Sequence, residues 1–483
     1  MTLLDAATWQ DRFLSDVPDR PRTSSTIVEP ATGANLGSYL LASVEDVHAA
    51  ATRAAEVQRE WALTPPETRA AILRKAGELF EEHAAEIQVW IVRETGAIAP
   101  KAGLETHIAA QECFEGSALP TAVHGDVIPT ELPRWSFARR RPAGVVSVIS
   151  PFNFPLILSI RSVAAALALG NAVLLKPDPR TTVSGGVSIA RVFEEAGLPA
   201  GLLHLLPGGL EIGQAVVSAP EVRIVSFTGS TPAGRAVGEL AAKHLKRAHL
   251  ELGGNNALVV FPGADVAAAA SAGAFGSFMH QGQICMSTGR HLVHESIAEE
   301  YVAALAAKAE GLVVGDPTGQ VHLGPIIDSN QLNRVHSIVE EAKAAGASVA
   351  AGGSFDQLFY RPTVLANVGP GNAAWDNEIF GPVAPVTTFK NKEEALEIIA
   401  LSPFGLSVGI LGDIGSAMWM ADRLCSGKVH INEQTVMDEA NAPFGGMGDS
   451  GTGSRFGGQQ ANIEAFTETQ WLTMRPEIAP YPF

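Results

Sequence analysis

The chain has 483 residues, of which 46% are hydrophobic and 18% are charged, and its formal net charge is −17. This composition is that of a globular protein rather than a disordered one. The acidic balance repels nucleic acid and anionic membranes, so we expect a soluble protein that binds neither. At about 150 residues per domain, the length predicts two or three domains.

The N-terminal residues show no secretory pattern, and we find no apolar run long enough to span a membrane. The three cysteines, Cys113, Cys285 and Cys425, form no CxxC pair. This favours a reducing, cytoplasmic setting over a disulfide framework or a metal site. We therefore predict a cytoplasmic protein without a metal, in which Cys113 and Cys425 are packed and carry no chemistry.

The first 120 residues look helical. Residues 44–64 and 66–96 carry apolar side chains at spacings of three and four, and Gly96 is a plausible helix stop. The next stretch, 122–142, is polar and partly alternating. We interpret it as a linker or a hairpin that leaves the main body.

From Gly144 onward, short apolar runs alternate with helical patterns. The apolar runs lie at 144–150, 171–178, 202–209 and 222–230. This alternation predicts a parallel sheet covered by helices.

Such sheets bind ligands at the carboxyl ends of their strands. Here these ends are 150–153, 176–178, 207–209 and 228–230, and each carries glycine, proline or a hydrogen-bonding side chain. Ordinary turns contain the same residue types, so turn chemistry alone is the alternative explanation. After the last strand, Thr231 can cap a helix that starts near Pro232, and such a helix start can hold a phosphate.

One GxGxxG match, "GMGDSG" at 446–451, does not directly follow a strand. We interpret it as a flexible glycine-rich loop rather than a dinucleotide site.

The segment "FMHQGQICMSTG" places Cys285 in a polar, glycine-containing turn, although an isolated cysteine is more often a packed thiol. A strand upstream ends in Glu251 and is followed by Gly253 and Gly254. Glu251 by itself could be a solvated strand end. The order of these pieces along the chain is more informative than any one of them.

Seven motifs carry a resemblance to the aldehyde dehydrogenase superfamily over nearly the whole chain. They are "SPFNFP" (150–155), "KPDP" (176–179), "FTGS" (227–230), "ELGG" (251–254), "GQIC" (282–285), "EIFGP" (378–382) and "PFGGMGDSG" (443–451). The stretch that starts at Val429 resembles the branch that acts on benzaldehyde, vanillin and salicylaldehyde.

The resemblance implies an α/β fold in three parts. A Rossmann-like, parallel-sheet dinucleotide-binding domain would comprise 1–121 and 143–252, and a second α/β domain, at 253–450, would be catalytic. Small β segments at 122–142 and 460–483 would bridge subunits, as edge strands can. We therefore expect a homo-oligomer, a dimer or a tetramer.

The resemblance also implies a chemistry. Cys285 would attack the aldehyde carbon, and the Asn153 side-chain amide and the Cys285 backbone N–H would stabilise the oxyanion. Hydride would leave to a nicotinamide, and Glu251 would be the general base that activates water against the thioester.

The implied cofactor is NAD or NADP. Its expected contacts are Ser150, Phe152, Lys176, Asp178, Gly209, Gly213, Thr228, Gly229, Ser230, Leu252, Glu378 and Phe380. Asp178 and Pro179 replace the small residue and glutamate that NAD-preferring relatives commonly have there. Arg180 is the one clear cation nearby for a 2′-phosphate. We predict use of both cofactors, with NAD favoured.

The substrate is expected to be a small aldehyde, and an aromatic one if Phe154, Trp375 and Phe444 line an apolar slot beside Ile284 and Met286. The same aromatic residues could equally fill the core. An aliphatic aldehyde or a semialdehyde is the main alternative, although we identify no pocket Arg or Lys for a charged substrate. A CoA-acylating enzyme, a non-redox thioester hydrolase and a non-enzymatic binding protein are further alternatives.

Overall fold

A computed structural model describes residues 2–483. The N-terminal region starts with an antiparallel pair of strands, β1 (Ser24–Val28) and β2 (Asn35–Leu40). Four helices follow, namely α1 (Val44–Trp61), α2 (Pro66–Glu82), α3 (Ala84–Thr95) and α4 (Ala99–Ala118). Gly96 ends α3 in the left-handed conformation, with a φ of 71° that glycine adopts without strain.

Two strands, β3 (Gly125–Val127) and β4 (Trp135–Pro142), then pair with each other. The chain continues into a five-stranded sheet. Its elements are β5 (Val145–Ile149), α5 (Pro155–Ala168), β6 (Ala172–Lys176), α6 (Ser188–Glu195), β7 (Leu203–Leu205), α7 (Leu210–Ser218), β8 (Val222–Thr228), α8 (Thr231–Lys243) and β9 (Arg247–Glu251).

All strands of this sheet are parallel, in the order β7-β6-β5-β8-β9. The chain moves outward from β5 to β7 and then returns to the other side of β5 with β8. This reversal opens a crevice at the carboxyl ends of β5 and β8, where ligands of such sheets bind. Every side chain of β5 and β6 is buried, as expected of a sheet covered by helices on both faces.

The second half of the chain builds a seven-stranded sheet. The elements of this half of the chain begin with β10 (Asn256–Val260), α9 (Val266–Phe278), β11 (Thr288–His294), α10 (Ala298–Gly311), α11 (Ser329–Ala344), β12 (Ser348–Ala351), β13 (Phe355–Asp356), β14 (Phe359–Tyr360), β15 (Thr363–Ala366) and α12 (Ala373–Asp376). They continue with β16 (Val383–Phe389), α13 (Lys392–Ala400), β17 (Phe404–Gly405), β18 (Ser407–Leu411), α14 (Ile414–Ala421) and β19 (Lys428–Ile431). The strand order is β12-β15-β16-β11-β10-β18-β19, with only β12 antiparallel to its neighbour.

The chain ends with β20 (Met447–Gly448), α15 (Gln459–Phe466) and β21 (Thr467–Met474). Strand β21 pairs with β4 along its whole length, from Thr467 opposite Pro142 to Met474 opposite Trp135. The resulting three-stranded sheet, β21-β4-β3, joins two segments that are far apart in the sequence. Trp135 and Trp471 are 59% and 65% exposed there, which leaves aromatic surface uncovered on this sheet.

The structure corrects the sequence expectation in four places. The first 120 residues are not all helical, because β1 and β2 precede the helices. The pattern at 66–96 forms two helices rather than one, because the chain bends at His83. Helix α7 was not predicted, and residues 460–466 belong to a helix rather than to the terminal strand. Among residues 2–483, no helix is long and apolar enough to cross a membrane.

Candidate active site

Cys285 lies on a sharply bent segment between α9 and β11. Three consecutive residues before it, His280, Gln281 and Gly282, have positive φ angles of 48°, 56° and 66°. A Cβ on Gly282 would come within 2.1 Å of the Gly381 carbonyl oxygen, so glycine is required there. Strained backbone of this kind needs support from its surroundings. The bend leaves Cys285 only partly buried.

Hydrogen bonds from other elements support this bend. The Asn256 side-chain amide donates to the carbonyl oxygens of both Cys285 and Ser287, at 2.8 Å each. The Asn153 amide donates to the Gln283 carbonyl oxygen at 2.9 Å. The sequence analysis did not identify Asn256 as a site residue. Its place two residues after the "ELGG" motif was the signal that could have indicated it.

The Cys285 thiol is held in its neutral form. Burial raises its pKa to about 12, and the nearby Glu378 carboxylate adds to this shift, while the Lys428 ammonium opposes it. The resting thiol is therefore protonated at neutral pH, and any reaction at Cys285 needs its proton removed.

Asn153 follows β5 and is fixed from behind by a buried ion pair. Lys101 donates to the Asn153 carbonyl oxygen at 2.6 Å and also pairs with Glu105. The other oxygen of Glu105 accepts the Leu156 N–H at 3.1 Å, at the start of α5. The backbone N–H of Cys285 makes no hydrogen bond to any of residues 2–483. One Asn153 amide proton and this N–H thus remain as donors that a ligand could use.

Glu251 ends β9, and its carboxyl group is almost fully buried. One oxygen accepts the Gly446 N–H at 3.1 Å. The other oxygen, Oε1, has no partner among residues 2–483. Burial raises the pKa of this carboxyl well above its usual value, although Gly446 and three more distant cations act against that shift.

The glycine-rich segment 446–451 is packed against Glu251 and is not the loose loop that was expected. Strand β20 pairs with β17. The Ser450 carbonyl oxygen accepts the Leu252 N–H at 2.9 Å, and Gly451 forms a β-bridge with Glu251 itself. The segment therefore positions the buried carboxylate, a role that the GxGxxG spacing did not indicate.

Two cavities follow the carboxyl edge of the five-stranded sheet. A cavity of about 150 Å³ adjoins Cys285 and Asn153 and is lined by seven of the predicted cofactor residues, namely Phe152, Thr228, Gly229, Ser230, Leu252, Glu378 and Phe380. A second cavity of about 470 Å³ is lined by three others, Lys176, Gly209 and Gly213. A Cβ added to either of these two glycines would meet nothing within 4 Å, so both leave open space.

Helix α8 starts between these cavities with a free end. Its cap residue is Ser230 rather than Thr231, and the Ser230 hydroxyl makes no capping hydrogen bond. The Thr231 hydroxyl instead donates to the Asp449 carbonyl oxygen at 3.2 Å. The exposed Ser230 therefore remains available to a ligand at a positively polarised helix start.

Ser150 and Asp178 lie outside both cavity linings. The Ser150 hydroxyl pairs with that of Ser159 at 2.6 Å. Asp178 binds Arg180 at 2.8 Å, and Nη1 of Arg180 binds Asp328 at 2.6 Å. Burial raises the pKa of Asp178, but the hydrogen bonds and charge of Arg180 outweigh it and hold that pKa below its usual value.

Glu378 and Phe380 close the smaller cavity. Glu378 accepts the Gly254 N–H at 3.0 Å, and burial raises its pKa to about 7. Phe380 has a φ of 55°, and Gln331 supports this unusual backbone by donating to its carbonyl oxygen at 2.9 Å. The rings of Phe380 and Phe152 meet edge to face, 5.9 Å apart.

The other side of Cys285 is apolar and tightly packed. Ile284, Met286, Leu406 and Phe444 form a small buried cluster, against which Phe154 and Cys285 itself pack. Trp375 does not belong to it. That side chain lies in the core of the seven-stranded sheet, so its predicted place in the pocket is wrong.

Two cations flank Phe444, although the sequence analysis identified none for this pocket. The Lys428 ammonium lies 4.2 Å from the ring centroid, and the Arg161 guanidinium carbon lies 4.6 Å from it. The expectation that both other cysteines are packed holds only in part. Cys113 is buried, but Cys425 is exposed.

Comparisons with known proteins agree with this geometry. The profile of the aldehyde dehydrogenase family matches residues 17–472. A vanillin dehydrogenase of Amycolatopsis sp. is 59% identical over the full length of both chains. A benzaldehyde dehydrogenase [NAD(+)] of Pseudomonas putida is 48% identical over 95% of each chain. The crystal structure of betaine aldehyde dehydrogenase from Staphylococcus aureus with NAD+ superposes with a TM-score of 0.94 at 27% identity, covering 99% of this chain and 97% of that one.

Proposed function

The chain belongs to the aldehyde dehydrogenase family, and we propose that it oxidises small aromatic aldehydes to carboxylic acids, with NAD as the preferred oxidant. The observation that carries this proposal is the position of Cys285. Its thiol lies between a glycine-lined cavity at a parallel sheet edge and an apolar cluster that includes Phe154 and Phe444. Relatives named for vanillin and benzaldehyde support the aromatic substrate.

A nicotinamide dinucleotide fits the two cavities. Gly209 and Gly213 leave open space in the larger cavity, where Lys176 would hold the adenosine ribose. Ser230 at the start of α8 would hold the pyrophosphate, and Glu378 would hold the second ribose beside Cys285. When bound there, the cofactor supplies the two-electron oxidant that accepts hydride from the aldehyde carbon.

Cys285 would form the bond to substrate. Its thiol loses a proton to solvent, and the thiolate sulfur attacks the carbonyl carbon to give a tetrahedral oxyanion. The free Asn153 amide proton and the Cys285 N–H would stabilise that oxyanion, because the Lys101–Glu105 pair fixes the Asn153 backbone in place. Loss of hydride from the carbon then leaves a thioester on Cys285.

Glu251 would release the acid. Its unpartnered Oε1 can accept a proton from water as the water oxygen attacks the thioester carbon, after which the carbon–sulfur bond breaks. The raised pKa of this buried carboxyl makes it a stronger base than an exposed glutamate. Hydrolysis by this carboxylate is also the reason to prefer the acid-forming reaction over transfer of the acyl group to CoA.

We propose a preference for NAD over NADP on the basis of Arg180. Three of its nitrogens already bond Asp178 and Asp328. The guanidinium is therefore not free for a 2′-phosphate, and the adjacent Asp178 carboxylate would repel one.

We further propose a cytoplasmic homo-oligomer, supported by the free cysteines and by the exposed Trp135 and Trp471 on the sheet β21-β4-β3. Light scattering at micromolar protein tests the assembly. A dimer or tetramer mass is expected, and a monomer mass would contradict it.

The function is tested by NAD(P)H formation from benzaldehyde, vanillin, acetaldehyde and succinic semialdehyde. We expect turnover of the two aromatic aldehydes, loss of that turnover in Cys285→Ala, and its retention in the matched control Cys425→Ala. Oxidation of only the aliphatic aldehydes would reject the aromatic substrate class. Undiminished turnover in Cys285→Ala would reject Cys285 as the nucleophile.

A further inference from the structure

Arg455 is bonded to the segment that contacts Glu251. An antiparallel bridge joins Phe444 to Phe456 through two N–H to carbonyl bonds of 2.7 Å and 2.9 Å. This bridge places Arg455 beside the residues that follow Phe444. The Arg455 Nη1 donates to the carbonyl oxygen of Gly446 at 3.2 Å and to that of Ser454 at 2.8 Å. A guanidinium thus holds the backbone at Gly446.

Gly445 leaves room for this arrangement. A Cβ on Gly445 would lie 2.7 Å from the Arg455 Nη1 and 2.8 Å from its Cδ, so a larger residue there would displace the Arg455 side chain. Arg455 also lines an open cavity of about 470 Å³, together with His249 and the first turn of α15. Water in this cavity can solvate the guanidinium, so its charge does not carry the full cost of burial.

The contacts of Gly446 continue to Glu251. The Gly446 N–H donates to the Glu251 Oε2 at 3.1 Å, while the Gly446 carbonyl oxygen accepts from Arg455. The other Glu251 oxygen, Oε1, has no partner among residues 2–483 and is the one proposed to accept a proton from water. The orientation of Oε1 therefore depends on a donor that Arg455 holds in place.

The charge of Arg455 also acts on this carboxyl. Burial raises the pKa of Glu251, and three cations oppose that shift, with Arg455 having a larger effect than Arg161 or Lys428. Those two both pair with Asp438, whose carboxylate offsets part of their charge. The bonds of Arg455 go to carbonyl oxygens, so they do not cancel its charge.

We propose that Arg455 is a positioning residue for Glu251, because it fixes the Gly446 N–H that orients the carboxylate and stabilises the ionised form that takes a proton from water. This inference rests on the proposed function. A carboxyl buried without such help stays protonated at neutral pH and cannot act as a base. Arg455 acts through Gly446 and through its charge, not by contact with the thioester.

The pH dependence of thioester hydrolysis reports on Glu251. Cys285 carries the acyl group during this step, so its thiol cannot titrate. Burial lowers the pKa of His249, two residues before Glu251, to about 4, so that imidazole stays neutral above pH 6. The other titratable groups around the site are the same in wild type and variants, so their titration cancels when the profiles are compared; they are Lys428, Asp438 and Glu378.

The test follows loss of the benzoyl group from Cys285 after a single turnover of benzaldehyde with NAD. Intact mass is measured at successive times, at pH values from 6 to 9. In Arg455→Met the midpoint of the rate profile should rise by about one pH unit, because the carboxylate loses a nearby cation. Below both midpoints, hydrolysis should therefore be about tenfold slower than in the wild type.

Arg455→Lys keeps the charge and should return the midpoint to its wild-type value. Arg423→Met is the matched control, since Arg423 also donates to a backbone carbonyl oxygen, that of Trp419 at 2.8 Å, outside the site. It should leave both the rate and the midpoint unchanged.

The inference is overturned if Arg455→Met hydrolyses the thioester at the wild-type rate, or if hydrolysis slows equally at every pH without a shift of the midpoint. The second result would indicate a structural role only. A midpoint as high in Arg455→Lys as in Arg455→Met would also reject the role of the charge. Should Arg455→Met not fold, Arg455→Gln, which keeps a donor without the charge, takes its place with the same expected shift. If the wild type forms neither NADH nor a benzoyl adduct, the proposed function itself fails.

Discussion

The two sides of Cys285 are built in different ways. On the side proposed to bind the cofactor, two cavities lie along one edge of one parallel sheet, and glycines leave open space in them. On the side proposed to bind the aldehyde, a tightly packed cluster and four charged side chains, two buried and two partly buried, come from α4, α5, β19 and the segment that follows β19. The first side depends on sheet topology, and the second depends on side chains that meet only in the folded chain.

This difference bears on how each side can change. The residues that line the two cavities follow strands of the sheet, so their positions are set by the sheet. Single substitutions can alter these residues, but the layout of the cavities cannot change without a change in the sheet. The other side depends on single side chains, such as Arg161 and Lys428 beside Phe444, which can be replaced without altering the sheet. We therefore expect substitutions on the cofactor side to affect every aldehyde alike, and those on the aldehyde side to affect aldehydes selectively.

The largest effect is expected at Glu251. Glu251→Gln keeps the shape of the side chain and its bond to Gly446 but removes the base. Hydrolysis of the thioester should slow by about 100- to 10,000-fold. Rapid mixing should therefore show one equivalent of NADH per active site, followed by a stall.

Glu378→Gln is the matched control, because Glu378 is a partly buried carboxyl that also accepts one backbone N–H. It lines the cavity proposed for the nicotinamide half of the cofactor, so the KM for NAD should rise for every aldehyde and no burst should appear. A burst in Glu378→Gln, or steady turnover without one in Glu251→Gln, would contradict the assignment of the two glutamates.

The next effect concerns the Cys285 thiol. Its pKa of about 12 in the protein without cofactor lies far above neutral pH, so the thiolate fraction grows as pH rises. Inactivation by iodoacetamide should accelerate by about tenfold for each pH unit from pH 7 to pH 9. The measurement uses the Cys425→Ser variant, which removes the exposed thiol. A rate that levels off below pH 8 would show that the resting thiol is much more acidic.

The smallest effect is on cofactor choice. Asp178→Ser removes a carboxylate and thereby leaves two Arg180 nitrogens without their present acceptor. The ratio of kcat/KM for NADP to that for NAD should rise by about tenfold, because a cation becomes available and a repelling charge is lost. Asp16→Ser, which breaks a similar pair with Arg53 at a distant surface, should not change the ratio. An unchanged ratio in Asp178→Ser would mean that this residue does not face the 2′ position.

The sequence predicted much of the lining of the two cavities because these residues follow consecutive strands. Lys176, Gly209 and Ser230 each come directly after an apolar run, and parallel strand ends share one edge. The family resemblance is confirmed by the match over residues 17–472. The hairpin β1–β2 was missed because its strands are half exposed and carry no long apolar run.

The aldehyde side could not be predicted in the same way. Arg161 is the one charged residue of α5, and neither its partner Asp438 nor Lys428 is near it in the sequence. An arginine in such a helix soon after Asn153 was the one available signal. Trp375 shows the opposite error, since an aromatic residue near a motif entered the core instead. Segment 446–451 was also misjudged from the sequence. Its contacts with Glu251, rather than the spacing of its glycines, define its role.

The central claim is that Cys285 joins the two sides through a covalent acyl group that Glu251 releases. The most direct test is the intact mass, and then the peptide map, of Glu251→Gln after a single turnover of benzaldehyde with NAD. We predict a mass increase of one benzoyl group, located on the peptide that contains Cys285. An unmodified protein after NADH has formed, or a benzoyl group on another residue, would contradict the account.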